Sequence, residues 1–450
     1  MKTPPTRRIV TALLSLATAL LATVPAHAQL SVQWITQYGS AGNDTAYGIA
    51  VDALGQSWVG GSTRGNLGGT NAGIFDVFLS RLSPSGSVDF TRQRGSTGFE
   101  AGYGGVALVG SGSVFAGGDA TSTAFDGQTP LGNEDGLLVR YDTSGTWQGT
   151  KRLGGPAYDS TRALAGNATN LLATGFTQSS FDGQTNAGFN DAFLSKRDST
   201  GTVLWTRFVG TSSDDRGSAA TFDSAGNGYL AGFTLGSLSG FSNAGASDIF
   251  VSRYDPAGNL TLLKQVGTSG SDGASAVKVD ASGNIYLAGG TQGALGGESN
   301  AGGTDAFIMK LDSNGNLLWT RLIGGTGNDD SYALGLDATG HVWIGGSSTS
   351  TFGGHSNGGG YDAFIAEYDS TGLLLGTSFL TSSGDDEILG MALGPDGSAY
   401  VTGYTNGALG GPNAGSSDIF VAKITAAPEP SAALLLAGAG AGLLLRRRRA

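Results

Sequence analysis

The sequence predicts an all-β fold: a seven-bladed β-propeller of four-stranded blades, closed by its own N-terminal strand. Three observations predict it. One unit recurs seven times: an Asp opens an apolar triplet at Asp76, Asp135, Asp191, Asp248, Asp305, Asp362 and Asp418, at intervals of 56 to 59 residues. A Gly marker keeps the same step, from Gly61 through Gly117, Gly175, Gly232, Gly289 and Gly346 to Gly403. A fixed period of this length means a repeat architecture. Each unit also holds four short runs rich in Val, Ile, Tyr, Phe and Trp, bounded by Gly, Asp, Asn or Pro, which is the strand-and-hairpin pattern. Finally, the ends interlock. The last copy stops at Ile424 without its Trp-bearing strand, and residues 32–38 supply one, aligning with residues 317–323. Closing the ring this way removes the sheet edges that an open array would have to cap.

In chain order, Lys2, Arg7 and Arg8 precede a mostly apolar stretch at 9–24 and a small-x-small site at Ala26-His27-Ala28. This is the layout of a secretory signal, with the mature chain expected to begin at Gln29. Residues 29–424 form the repeating body. In the copy around Trp205 the expected strands are 203–209, 218–222, 228–234 and 249–254. D-x-x-G turns sit at 223–226 and 255–258, where Gly supplies the positive φ of a hairpin. No stretch of the body keeps a 3.6-residue apolar period. Triplets such as Ala306-Phe307-Ile308 are apolar at successive positions, so those strands are expected to be covered on both faces. The recurring Gly lets backbones approach closely. The second and third copies depart from the rest: Asn133-Glu134-Asp135 shortens a loop, and residues 108–112 replace the D-x-x-G turn.

These copies resemble the exported bacterial β-propeller repeat family abbreviated SBBP. The resemblance rests on the D-A-F-type triplet, the D-x-x-G-N-x-Y turn at 280–286 and the following A-G-x-T at 288–291. It covers nearly all of 29–424. It implies the fold, and it leaves function open, since propellers host many activities.

After Ile424 the composition shifts. Pro428-Glu429-Pro430 leads into fifteen uncharged, mostly apolar residues at 431–445, then Arg446, Arg447, Arg448 and Arg449. A helix there would be roughly 22 Å long, short of a ~30 Å hydrocarbon core, and the arginines would hold its end on the cytoplasmic side. The tail, 425–450, resembles the PEP-CTERM sorting signal. That resemblance implies transient anchoring in the inner membrane of a Gram-negative bacterium, contact with the export machinery and an exosortase, and release to the cell surface or extracellular matrix. The alternative is a permanent membrane anchor.

Composition bounds the chemistry. There are no cysteines among the 450 residues, which excludes disulfides, thiol catalysis and thiolate metal sites. The formal net charge is −11. The body alone, with 18 basic and 35 acidic side chains, carries −17, a surface that repels nucleic acid.

Five residues beyond the Gly that ends each Trp-type strand stands an acid: Asp44, Glu100, Asp159, Asp215, Asp272, Asp329 and Asp386; in the last copy Thr381 takes the Gly position. The long loops carry Asn71, Asn186, Asn243, Asn300, Asn357 and Asn413, each five residues before its triplet Asp. Strand alternation puts both sets on one face of the disc. One reading is a ligand or cation face, with Ca²⁺ foremost because hard cations take oxygen ligands. The other is that these side chains cap turns and accept from backbone N–H groups, the usual role of a feature present in every copy. Residues 324–329 match the start of a calcium nonapeptide, but that β-roll needs consecutive nine-residue repeats.

Catalytic signals are thin. His341 and His355 have no metal-ligand spacing and read as surface residues. Pairs such as Asp214/Asp215, Asp329/Asp330 and Asp385/Asp386 could serve a glycosidase or lyase, but they recur too regularly to mark one site. Trp58, Tyr229, Tyr286, Trp343 and Tyr400 read as blade packing. The expectation is a non-catalytic exported propeller that binds or scaffolds exopolysaccharide or a surface protein. The alternative is a Ca²⁺-dependent hydrolase or lyase acting on polysaccharide or phosphate esters.

Overall fold

The computed structural model describes residues 30–121 and 124–426. The expected signal with its cleavage site at Ala26 and Ala28, and the sorting residues Pro428, Glu429, Pro430 and Arg446 to Arg449, lie outside the described residues. Among the described residues no helix is long and apolar enough to cross a membrane.

Among the described residues, twenty-eight strands form seven antiparallel four-stranded sheets. With the strands of a blade named a to d from the axis outward, blade 1 runs Asp44–Val51, Ser57–Thr63, Asp76–Leu82 and Val88–Arg94. Blades 2 to 6 repeat this order with a-strands that open at Glu100, Asp159, Asp215, Asp272 and Asp329. Blade 7 takes strands a to c from Asp386–Leu393, Ala399–Thr405 and Asp418–Thr425, and strand d from Ser31–Tyr38. The first strand of the chain thus pairs with the last, Val32 opposite Ile424 and Tyr38 opposite Ile419.

The closure docks on the same turn as the other blade junctions with one bond fewer, since Trp34 Nε1 has no hydrogen-bond partner among the described residues. In blade 3, Trp205 Nε1 donates to Pro256 O at 3.1 Å and Arg207 Nε to Gly258 O at 2.7 Å, both in the c–d turn of blade 4. Trp319 and Arg321 reach Ser370 and Gly372 in the same way. At the seam, Thr36 Oγ1 donates to Gly86 O at 2.7 Å. On the opposite face, Asp44 N donates to Ser417 O at 3.0 Å, as Asp215 N does to Asn190 O and Asp272 N to Ser247 O, both at 2.9 Å.

Burial follows position in the blade. Strand c of blades 5 and 6, Asp305–Leu311 and Asp362–Tyr368, is buried at every residue, because each blade is packed between two neighbours. The d-strands begin exposed, at Leu317 and Leu318 for example.

The a-strand expected at 218–222 begins earlier, at Asp215. A bulge between Gly217 and Ala219 interrupts its ladder with strand b, so alternation reads only from the far side of the bulge. The b-strand marker Gly lies against this bulge. A Cβ on Gly232 would stand 1.9 Å from Arg216 O, and one on Gly61 2.0 Å from Thr45 O. In blade 2 the irregularity is wider, between Ala101 and Gly105. There the close approach falls on Gly118, 1.9 Å from Ala101 O, rather than on the expected Gly117.

Candidate functional site

Each blade presents two tight turns on one face of the disc. The long b–c loops and the blade-to-blade connections lie on the other. Both sets of acids stand at the starts of strands on this long-loop face, and they point inward. Asp44, Glu100, Asp159, Asp215, Asp272, Asp329 and Asp386 are all at most 1% exposed. Each takes a backbone N–H from the connection four residues before it. Asp159 Oδ2 accepts from Gly155 N at 2.8 Å, Asp329 Oδ2 from Gly325 N at 2.7 Å, and Glu100 Oε2 from Ser96 N at 2.7 Å. Asp44 and Asp386 accept from Ser40 and Ser382. Asp215 and Asp272 accept from the Thr211 and Thr268 hydroxyls at 2.8 Å, and also from Thr234 and Thr291 at the end of strand b.

The asparagines clamp the long loops. Asn186 Nδ2 donates to Thr177 O at 2.9 Å, and its Oδ1 accepts from Gly188 N at 3.0 Å. Asn71, Asn300 and Asn357 repeat both bonds, and Asn243 and Asn413 repeat the second. The oxygens of these side chains are taken by N–H and O–H donors of their own blades, except Asp44 Oδ1, which is buried without a donor among the described residues. No group of three or more His, Asp or Glu converges to hold a metal among the described residues.

The triplet acids form a second ring outside the first. Asp248 Oδ2 accepts from Ala244 N and Gln265 Nε2, both at 2.9 Å, and Asp135 pairs with Arg152 at 2.7 Å, both buried. Between the rings runs the connecting Gly. A Cβ on Gly210 would stand 2.2 Å from Asp191 Oδ1, and one on Gly267 2.1 Å from Asp248 Oδ1. Burial pushes Asp159 and Asp191 up to about 6, with the facing acid of the adjacent blade, Asp135 and Asp215 respectively, adding to the shift.

One residue deeper, the repetition breaks. The second residue of strand a faces a residue of strand b in the pairs Thr45/Ser62, Ala101/Asp119, Ser160/Phe176, Arg216/Phe233, Gly273/Gly290, Asp330/Ser347 and Glu387/Tyr404. No two of these pairs are alike. Around blades 2 to 4, Asp119, Phe176 and Arg216 of these pairs join Arg162 and Tyr103, each two residues further along strand a, in an arginine–aromatic arc. Arg162 stacks over Tyr103 at 4.5 Å and Phe176 at 5.2 Å, and Arg216 covers Phe176 at 4.6 Å. Tyr158 stacks on Phe176 at 5.9 Å. Asp214 orients Arg216 through two bonds of 2.8 and 2.9 Å. Buried Asp119 lies 3.9 Å from Arg162 and accepts from Ser160 and Thr161; burial outweighs these partners and pushes it up to about 7.

Blades 6 and 7 carry an acid–tyrosine arc. Tyr404 Oη donates to Glu387 at 2.7 Å. Burial raises Asp330, Tyr332, Glu387 and Tyr404, and the negative charges of this cluster push in the same direction. Arg162 and Tyr332 both line the adjoining segment of the axial tunnel, about 170 Å³, with Tyr47, Ser218, Ser275 and Leu389. Sequence reasoning met Asp214 and Asp330 only as members of recurring acid pairs and missed the others, because it looked for what every copy shares. The signal that finds most of them is departure from the repeat at the second and fourth positions of strand a and at the facing position of strand b.

The remaining candidates are placed as follows. Trp58, Tyr229, Tyr286, Trp343 and Tyr400 are buried between blades. His341 Nδ1 lies 3.0 Å from Glu367, and the His355 ring packs 5.0 Å from Phe379. Asp385 accepts from Tyr361 N at 3.0 Å.

With this geometry in place, comparison with known proteins agrees on the architecture. Residues 33–68 match the SBBP family model, Beta-propeller repeat. Among curated proteins, the chain is similar to Regulatory protein FlaEY of Caulobacter vibrioides, 26% identical over 139 residues, 28% of this chain and 15% of that protein. The match thus spans under a sixth of that relative's length. Among solved structures, the Pan2 WD40 domain of Neurospora crassa superposes with a TM-score of 0.50 at 12% identity, over 91% of this chain and 98% of that one. YCF48 bound to D1 peptide gives 0.44 at 12% identity, over 90% and 99%. Likeness at such identities concerns the fold alone.

Proposed function

We propose that this β-propeller repeat protein is a non-catalytic binding module that works outside the cell and takes an exopolysaccharide segment across its long-loop face. The observation that carries this reading is the variable layer. Seven blades share their turns, caps and packing, yet at one level around the tunnel each pair of residues differs. The layer's two arcs, with the neighbouring Arg162, Tyr103 and Tyr332, present Arg, Tyr, Phe, Asp and Glu. Guanidinium forks held against aromatic rings offer donors and flat faces, which suits the hydroxyl and C–H faces of sugars. The acid–tyrosine arc across the tunnel supplies acceptors. The negative charge of the body favours a neutral or mixed-charge glycan over a polyanion. Export, with Gln29 as the mature N-terminus, and release by cleavage near Pro428-Glu429-Pro430 complete the proposal. Mass spectrometry of the secreted protein reads both ends directly.

A glycan array probed with the full chain tests the binding site. Arg162→Ala and Glu387→Gln are each expected to weaken binding about tenfold or more, some 1.4 kcal/mol, with the melting temperature held within a few degrees. Absence of binding to any glycan, or binding unchanged in both variants, sinks the reading.

A further inference from the structure

The half of the axial tunnel nearer the tight turns opens into a cavity of about 600 Å³, walled by a-strand residues such as Ile49, Val106, Leu164, Leu334 and Met391. Two charged residues line it. Asp223 belongs to a turn at the rim, and its carboxylate is filled by Ala225 N, Asn227 N, Asn227 Nδ2 and Tyr229 Oη. Lys278 stands in the a-strand of blade 5, Asp272–Val279. It is opposite Tyr286 in strand b. At the same register the other six blades carry Ala50, Ala107, Ala165, Thr221, Gly335 and Ala392. The fold therefore builds this position with a small side chain and has no need of a lysine there.

Among the described residues Lys278 makes no hydrogen bond or ion pair. It is half-buried in the lumen wall, and burial by the surrounding strands is the one influence on it, lowering its pKa. An ammonium held among apolar walls without a counter-ion is costly, and an anion in contact with it removes that cost. Thr221, on the adjacent blade at the same level, lines the same cavity and brings a hydroxyl donor.

We propose that the tunnel is a binding site for a small organic carboxylate, its anionic end on Lys278 Nζ and Thr221 Oγ1 and its apolar body along the Leu164 and Leu334 walls. One ammonium balances one negative charge; a dianion would leave one charge without a counter-ion beside the apolar walls. The cavity volume falls within the range of small-molecule pockets, roughly 300–1,000 Å³. The site adjoins the segment that Arg162 and Tyr332 line, and Lys278, Leu164 and Leu334 border both; its test uses variants that leave Arg162 and Glu387 in place, so the two readings can fail separately.

Calorimetric titration of the full chain with hexanoate, and separately with inorganic phosphate, tests it. The wild type is expected to bind hexanoate. Lys278→Met should weaken that binding more than about tenfold, Lys278→Arg should keep it within a few-fold, and Thr221→Val should fall between. The thermal midpoint of ligand-free Lys278→Met should equal or exceed that of the wild type, since a methionine leaves no unpaired charge. No hexanoate binding by the wild type, equal binding by Lys278→Met, or preference for phosphate over hexanoate overturns the proposal.

Discussion

Asp272 shows what one carboxylate does for a blade. It accepts from the Thr268 backbone and hydroxyl before it and from the Thr291 hydroxyl beside it, so one side chain ties the blade-to-blade connection to the ends of strands a and b. Asp272→Ala strands these buried donors and should cost about 2–3 kcal/mol in denaturant unfolding. Because the first-ring carboxylate oxygens other than Asp44 Oδ1 are occupied by protein donors, adding Ca²⁺ or a chelator should leave the wild-type melting temperature unchanged; a shift of several degrees reversed by chelator would restore the cation reading. The acids also set a pH dependence. Asp119, raised to about 7, and Asp159 and Asp191, raised to about 6, bind protons more tightly folded than unfolded. Their stabilising contribution is complete below the unfolded carboxyl pKa near 4 and is lost as pH rises through 6 to 7. Asp142, Asp255 and Asp312, in exposed turns, are lowered by their own turn donors, and their contribution is lost below about pH 4. The melting temperature should therefore peak near pH 4–5 and decline toward pH 8, and Asp119→Asn should flatten the part of the decline above pH 6. A profile rising from pH 5 to 8 contradicts this.

At the scale of the strand, the sequence carries most of the architecture. Repeat phase, strand count per unit and the displaced N-terminal strand could all be read from Trp34, Trp319 and the triplet acids, because repeated packing leaves repeated residues. Two things were not legible. The start of each a-strand is hidden by the bulge after residues such as Gly217, which breaks the alternation on which such reading depends. The candidate site was obscured for a different reason. Arg162 meets Asp119, and Glu387 meets Tyr332, only when blades are set side by side, and a search for shared features discards them. Gln37 is legible in hindsight: its Oε1 accepts from Leu409, Gly410 and Gly411 N at 2.9–3.2 Å, as Gln93 Oε1 accepts from Leu67 and Gly68 N. A d-strand glutamine thus holds its blade's long loop. Gln37→Ala should cost about 1–3 kcal/mol, close to the cost of Gln93→Ala, because the seam is built like the interior. A much smaller loss at Gln37, measured by denaturant unfolding, would mean that the first strand is not seated as in the other blades.

For the whole molecule, stability rests on closure. Every blade but the seventh is continuous in sequence, so the ring has one place where it can open without a chain break, between Ser31–Tyr38 and Asp418–Thr425. Deleting residues 31–38 removes Trp34 from beside Tyr400, a 5.9 Å edge contact, removes the Gln37 clamp, and exposes the hydrogen-bonding edge of a buried apolar strand. Exposed edges of this kind pair with other chains. The truncated protein should melt well below the wild type and associate at micromolar concentration, visible by light scattering. A synthetic peptide with the sequence of residues 31–38 should bind it, raise its melting temperature and suppress association, whereas a peptide with Trp34 and Gln37 both replaced by Ala should do neither. If the truncated chain instead stays monomeric and melts with the wild type, the N-terminal strand is dispensable and the disc is held by its other six junctions alone.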